Sequence, residues 1–274
     1  TFNTDIPPAT RDAVGLPRET LPNWIGHMSP DNRGAGQTLA RLLAQSAGGA
    51  QTPAAEAPTL EPAEYDEPLP MIGLSGTRDS SAAVDRDFGL AEVAASGEVN
   101  LLQLVRANWL EAEADEKVGV LLARYPQAAA IWSASDGMAL GALAAAERAG
   151  RIPGQDVMVG GIDWESRALT AIREGRMAVS LGRHFMGGGL ALMLVHDYHH
   201  GHDFAGESWP VLSYPLMPAT RDNVDDVERI MDRDNWQALD FRQFSAVWQN
   251  GVDRPAEGAA AMMDSFSSAL AELP

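Results

Sequence analysis

Carboxylates and an indole follow two apolar runs of this sequence. Asp136 comes shortly after a run at residues 128–133, and Asp163 and Trp164 come directly after a second run at 157–162. Carboxylates accept hydrogen bonds from a ligand, and an indole face packs against an apolar ring. Two carboxylates can also act as a general acid/base pair. These residue types point to a ligand-binding site, and an enzyme that uses Asp136 and Asp163 is an alternative.

A strand–helix–strand unit must position these side chains. Between the two apolar runs, Met138, Leu140, Leu143 and Ala144 recur at helical spacing, and Gly150 stands where a helix C-cap belongs. A helix between two buried strands indicates a parallel pair with a right-handed crossover. Ligands of such sheets bind beyond the carboxyl ends of the strands, which is where the carboxylates fall.

Composition limits the function classes. The chain has 274 residues, is 45% hydrophobic and carries a formal net charge of −18, which argues against a nucleic acid or an anionic membrane as partner. It has no cysteine, so disulfides, thiolate metal sites and cysteine nucleophiles are excluded. No apolar run is long enough to span a membrane, and no signal peptide is visible.

Strands and helices alternate along most of the chain, which predicts a doubly wound α/β lobe of about six strands. Residues 46–70 are rich in Ala, Pro and Glu without periodicity, and are expected to form a mobile surface excursion. The further strands are predicted at 24–28, 71–74, 99–105 and 177–181, and the further helices at 33–45, 81–95, 111–125 and 186–198.

Three consecutive segments carry a family resemblance. They read SASDGMALGALAAAERAG, IPGQDVMVGGIDW and ALTAIREGRMAVSL. In this order they resemble the type I periplasmic sugar-binding proteins of the ribose/galactose-binding type, and equally the effector domains of lactose-repressor-type regulators. The resemblance implies an α/β fold with a doubly wound parallel sheet, comprising one complete lobe plus part of a second lobe.

The resemblance also implies a division of the chain. Residues 1–21 would be a remnant of the N-terminal lobe with the first hinge, and 22–183 the complete C-terminal lobe. Residues 184–222 would return to the N-terminal lobe, and 223–274 would form a C-terminal helical extension. Roughly the first hundred residues of the N-terminal lobe, as the family has it, are expected to be lacking.

The resemblance places ligand-binding residues at the strand ends. Arg86, Trp109 and Asp163 match the arginine, the aromatic residue and the carboxylate of the family. Ser135 replaces the asparagine that several sugar binders of the family have, and serine has a shorter reach and cannot make a bidentate amide contact. Asp136 is expected to cap a helix more than to contact a ligand. The remaining candidates are Trp164, which stacks on ligand or covers the lobe, Arg183 near the second hinge, and Asn3 on the first-lobe strand.

The implied function is that of an extracytoplasmic solute-binding protein. It would bind a small sugar or sugar-like ligand between two lobes and present it to an ABC transporter permease or a membrane sensor kinase, with a periplasmic location, no nucleic acid and no membrane insertion. The alternative is the effector-binding domain of a lactose-repressor-type transcription regulator, which predicts an upstream helix-turn-helix and a dimer. A fragment that holds only half of a site is a third reading.

Neither catalysis nor a cofactor is predicted. The sequence contains no G-x-S-x-G, no P-loop lysine motif and no H-E-x-x-H. The run His199, His200, His202 and Asp203 is rich in potential metal ligands, but Gly201 interrupts the helix there, so no metal site is predicted.

Overall fold

A computed structural model of the chain describes residues 1–3, 5–6, 8–48, 67–205, 210–248 and 258–273. The helices are α1 (Pro8–Val14), α2 (Asn32–Ala47), α3 (Ser81–Ala95), α4 (Glu111–Arg124), α5 (Asp136–Arg148), α6 (Ser166–Arg173), α7 (Gly187–His199), α8 (Val224–Met231), α9 (Arg233–Ala238) and α10 (Gly258–Ala271). The strands are β1 (His27–Pro30), β2 (Leu69–Ser75), β3 (Val99–Arg106), β4 (Ala130–Ser133), β5 (Met158–Ile162), β6 (Val179–Gly182), β7 (Val211–Tyr214) and β8 (Met217–Ala219).

The chain divides into two compact units. Unit 1 comprises the described residues of Thr1–Asp31, His184–Pro215 and Asp225–Pro274, and unit 2 comprises those of Asn32–Arg183 and Leu216–Val224. Of the predicted excursion at 46–70, residues 49–66 lie outside the described part of the chain. Residues 46–47 belong to α2 and 69–70 belong to β2, so both elements are longer than predicted.

Unit 2 is built on a six-stranded sheet with the order β3-β2-β4-β5-β6-β8. All neighbouring pairs are parallel except β6 and β8, which are antiparallel. This is the α/β doubly wound arrangement predicted from the alternating pattern. The strand order reverses at β2, because β3 lies on one side of it and β4 on the other. In open parallel sheets this switch point is where ligands bind, at the carboxyl ends of the strands.

Apolar side chains from the helices cover the sheet of unit 2. Every residue of β4 is buried, and the Trp132 indole Nε1 donates to the Gly36 carbonyl of α2 at 3.1 Å. From the same helix, Leu39 and Leu43 pack against Gly160 of β5. A continuous apolar strand such as β4 is expected in a parallel sheet that is covered on both faces.

We expect Gly141→Ala to destabilise unit 2 by roughly 1–3 kcal/mol, since a Cβ at this position of α5 would collide with the Glu111 carbonyl oxygen of α4. Gly119→Ala in α4 is the matched control. A Cβ there meets nothing within 4 Å, so its higher helix propensity should stabilise the chain by about 0.5–1 kcal/mol. Urea unfolding of the two variants measures the difference, and equal stabilisation of both would refute the close helix contact.

Unit 1 contains the two-stranded parallel sheet of β1 and β7. The strand predicted at 24–28 had been assigned to the complete lobe, but β1 starts at His27 and belongs to unit 1, where the His27 amide donates to the Pro210 carbonyl at 2.8 Å. Residues Leu216–Val224 belong to unit 2, where β8 pairs with β6. Of these, 216–222 were predicted to return to the other lobe, and 223–224 were predicted to begin the C-terminal extension. No helix in the described ranges is long and apolar enough to cross a membrane.

Candidate functional site

The carboxyl edge of the unit 2 sheet gathers most of the predicted site residues. Asn108 and Trp109 follow β3, and Asp163 and Trp164 follow β5; Arg183 follows β6 directly. All five are non-glycine residues with positive φ. Left-handed backbone costs a residue with a side chain free energy, and such residues cluster where a site over-determines the conformation. The strained positions therefore mark this edge as a functional candidate.

Arg86 is buried at the switch point of the sheet. It projects from α3, its Nε donates to the Asn32 side-chain oxygen at 2.9 Å, and its Nη1 donates to the Ala134 carbonyl at 2.6 Å. Burial lowers the pKa of the Arg86 guanidinium, and the nearby carboxylates of Asp163 and Asp136 oppose that shift. A buried cation held in this way offers fixed donors to a ligand.

Asp136 has an internal role that differs from the predicted one. It is the first residue of α5, but the helix cap is Ser135, whose side chain accepts from the Met138 amide. The Asp136 carboxylate is fully buried and accepts from the Ser180 hydroxyl at 2.7 and 2.8 Å and from the Glu165 amide at 2.9 Å. The cap of α5 is therefore Ser135 and not the expected Asp136, and Asp136 instead ties β6 to the start of α6.

Burial raises the pKa of Asp136 to about 8, and the neighbouring Asp163 carboxylate adds to the rise. A carboxyl group with such a pKa is largely protonated at neutral pH. Asp163 is only partly buried, so it is the accessible carboxylate of the pair. The geometry thus separates a neutral internal acid from an acid that faces the edge of the sheet.

The turn at Asp163 and Trp164 is held from within unit 2. The φ angles are +139° at Asp163 and +58° at Trp164. The Ser180 hydroxyl accepts from the Trp164 amide at 3.2 Å, and the Asp163 amide donates to the Leu181 carbonyl at 2.7 Å. The Trp164 indole is fully buried against Gly182. Of its two predicted roles, stacking on a ligand or covering the lobe, this position favours the second.

Trp109 is the partly exposed indole of the edge. Its φ is +66°, and its ring lies over Gly76, where a Cβ would collide with the indole. Its Nε1 donates to the Thr77 hydroxyl at 3.3 Å. Glycine is required beneath the ring because only a residue without a side chain lets the indole lie flat on the turn after β2. An indole fixed in this manner can stack on the apolar face of a ring-shaped ligand.

The remaining predicted residues fall in two places. Ser135 is buried beside Asp136, and Arg183 is buried with a φ of +83°. Asn3 belongs to unit 1, where its φ is +68° and its amide donates to the Met28 carbonyl at 2.8 Å. Seven of the eight predicted residues therefore belong to unit 2, and Asn3 belongs to unit 1.

Four polar residues of the edge were not predicted from the sequence. Asn32 holds Arg86, and Ser180 holds Asp136. Thr77 accepts from Trp109, and Arg106 contacts the same turn. Nothing local in the sequence distinguishes these four residues from other polar residues of the chain. Their partners are distant along the chain, so only the folded sheet reveals them.

Unit 1 has a cavity of a different character. It has a volume of about 450 Å³ and is lined mainly by apolar side chains of the N-terminal segment, β1 and α7, including Phe2, Met28, Leu192 and Val195. Hydroxyl groups of a sugar would find few partners there.

In the histidine run, Asp203 accepts two hydrogen bonds from Arg18, at 2.6 and 2.9 Å. Within the described residues no group of three or more His, Asp or Glu is arranged to hold a metal ion.

Curated proteins of known function match part of this chain. The ribose import binding protein RbsB of Escherichia coli K12 is 27% identical over 179 residues, which are 65% of this chain and 52% of that protein. RbsB of Salmonella typhimurium is 27% identical over 159 residues, 58% of this chain and 47% of that protein. The chain thus spans about half the length of the curated relatives it matches.

Solved structures extend the comparison to the fold. A periplasmic sugar-binding protein from Pseudomonas fluorescens is 30% identical with a TM-score of 0.73, covering 92% of this chain and 69% of that one. An arabinose-transporter binding protein from Shewanella sp. ANA-3, bound to L-arabinofuranose, is 21% identical with a TM-score of 0.61, covering 78% and 65%. The family model of the periplasmic binding protein domain matches residues 1–202, about three quarters of the sequence. The chain therefore belongs to the periplasmic binding protein domain family.

Proposed function

We propose that the chain is the binding component of a sugar import system, in which it takes up a small sugar and delivers it to an ABC transporter. The observation that carries the proposal is the set of three groups at the carboxyl edge of unit 2. Arg86 offers buried donors, Asp163 offers an accessible carboxylate and Trp109 offers an indole face. Sugars are recognised by this combination, because their hydroxyls need directed hydrogen bonds and their ring faces need an apolar surface.

The names of the relatives support the same ligand class. Ribose import is the role given to the matched RbsB proteins, and L-arabinofuranose and D-allose occupy two of the structural neighbours. These are monosaccharides. We propose a monosaccharide, in furanose or pyranose form, as the ligand of this chain.

The proposed setting follows from family membership. The protein would work in the periplasm as a binding protein without catalytic turnover, and an ABC transporter permease would be its membrane partner. A sensor kinase as partner stays a prediction. A bound sugar that is recovered unchanged after prolonged incubation, as judged by chromatography, would support binding without turnover.

Isothermal titration of the 274-residue chain with D-ribose, L-arabinose, D-galactose and D-allose tests the proposal. We expect at least one saturable heat, and we expect Asp163→Asn to weaken that binding about 10- to 100-fold by removing a charged acceptor. Asp156→Asn is the matched control because Asp156 is an exposed carboxylate near the start of β5, the opposite end of the strand that Asp163 follows.

Two results would overturn the proposal. Absence of saturable binding for every sugar of the panel would remove the sugar as ligand. Equal loss of affinity in Asp156→Asn and Asp163→Asn would show that the carboxyl edge is not the site.

A further inference from the structure

The Arg106 guanidinium links three elements at the edge of the unit 2 sheet. It stands at the end of β3, and its Nη1 donates to the Ser75 hydroxyl at 3.1 Å, to the Gly76 carbonyl at 3.1 Å and to the Thr77 carbonyl at 3.3 Å. Its Nη2 pairs with the Asp87 carboxylate of α3 at 2.7 Å. One side chain therefore holds three consecutive residues at the end of β2 and anchors them to a helix.

The turn that Arg106 holds is the surface on which the Trp109 indole rests. Gly76 lies directly beneath the ring, and the Thr77 hydroxyl accepts from the indole Nε1 at 3.3 Å. Any shift of this turn must move the ring, because both its face and its only polar atom contact the turn. Asn108 and Trp109 have φ angles of +53° and +66°, so the backbone of the indole is itself strained and depends on such support.

Asp87 connects this support to the buried arginine of the site. It is the residue after Arg86 on α3, and burial raises the pKa of its carboxyl group, an effect that Ser75 and Arg106 oppose. The Arg106 cation favours the ionised form of this carboxyl group. The ion pair therefore joins the helix that carries Arg86 to the turn that carries the indole.

We propose that Arg106 is a positioning residue that fixes the orientation of the Trp109 indole through the turn at 75–77 and thereby determines which monosaccharides the site accepts. The specificity part rests on the proposed function, whereas the orientation of the indole does not. Sugars that differ in the position of an axial hydroxyl present different apolar faces, so a tilt of the indole changes their relative affinities.

The test uses the complete 274-residue chain labelled with 5-fluorotryptophan. Its seven tryptophans each give a ¹⁹F resonance, and Trp109→Phe assigns the one that belongs to Trp109. In Arg106→Met we expect this resonance to shift by more than its linewidth or to broaden. Arg106→Lys keeps the charge but reaches fewer acceptors and should give an intermediate spectrum. Thr77→Val removes only the hydroxyl that holds the indole and should perturb the same resonance.

Arg151→Met is the matched control. Arg151 also pairs with an aspartate, Asp156, and also donates to three backbone carbonyls, those of Pro126, Ala128 and Asp156. It does so before β4 and β5 begin, at the opposite edge of the sheet. We expect its loss to lower stability without moving the Trp109 resonance, which separates positioning from a general structural role.

Sugar binding supplies the second measurement. We expect Arg106→Met to change the ratio of dissociation constants between D-ribose, L-arabinose and D-galactose by about tenfold, while Arg151→Met leaves the ratio unchanged. An unaltered Trp109 resonance in Arg106→Met, or the same shift in Arg151→Met, would overturn the positioning role. If no sugar binds to the wild type, the proposed function and the specificity part fail together, and the ¹⁹F spectra still decide whether Arg106 orients the indole. If Arg106→Met does not fold, Arg106→Lys decides the matter, because an unaltered Trp109 resonance in that variant would equally overturn the positioning role.

Discussion

We expect Arg86→Ala to weaken the proposed sugar binding by about 100-fold or more, since it removes a buried charged donor from the carboxyl edge of the sheet. The Asn32 side-chain oxygen and the Ala134 carbonyl each lose a hydrogen bond. Asp163 and Asp136 lose the cation that interacts with both. Titration calorimetry with the best sugar of the panel measures the loss, and thermal unfolding will show a lower midpoint.

Arg41→Ala controls for the loss of an ion pair. Arg41 lies on α2 and pairs with Glu98, which precedes β3 at the amino edge of the sheet. We expect this variant to bind sugar like the wild type even if it is less stable. Wild-type affinity in Arg86→Ala would contradict the role assigned to the switch point.

Asp136→Asn will remove a pH-dependent loss of stability. In the folded protein burial raises the pKa of Asp136 from 3.8 to about 8, so the folded state binds a proton that the unfolded state releases. The stability from this group is therefore full below about pH 4, falls as pH rises and is lowest above about pH 8, with a range on the order of a few kcal/mol. Asparagine has no such titration and still offers an oxygen to the Glu165 amide.

Thermal unfolding of wild type and variant from about pH 5 to about pH 9 measures the effect. We expect Asp136→Asn to unfold at a similar or higher midpoint than wild type at the alkaline end, with the gap closing toward acid. Asp136→Ala, which loses the bonds to Ser180 and Glu165, should be destabilised at both ends. Other titrating groups, such as Asp87 and His27, contribute equally to all three proteins. Parallel curves for wild type and Asp136→Asn would contradict the raised pKa.

Much of the unit 2 fold follows from local patterns. The run around Trp132 reads as a buried strand, and the spacing of Met138 and Leu143 predicts the helix after it, because burial imposes the period of each element. The assignment of β1 to a unit was wrong because a strand of four residues carries no signal for its partner. The three-residue strand β8 was not predicted for the same reason.

The candidate site was predictable by residue type but not by role. Arg86, Trp109 and Asp163 were expected from the resemblance, and all three lie at one edge of the sheet. The bond between Asp136 and Ser180 joins residues 44 positions apart, so no local pattern could distinguish an internal tie from a cap. The contacts of Arg86, Trp109 and Asp163 with a ligand are predictions that the sugar titrations test.

The short strand β8 bears on how copies of unit 2 behave at high concentration. It closes one side of the sheet with three residues, and its middle residue, Pro218, has no N–H group. On the other side, the pairing of β3 with β2 contains a register shift between Met71 and Ile72, which bends the outer strand. On the β3 side, which has the longest strand of the sheet, the register shift rather than the length disfavours pairing with a strand from another molecule. The sheet of unit 2 is therefore protected against edge-to-edge aggregation.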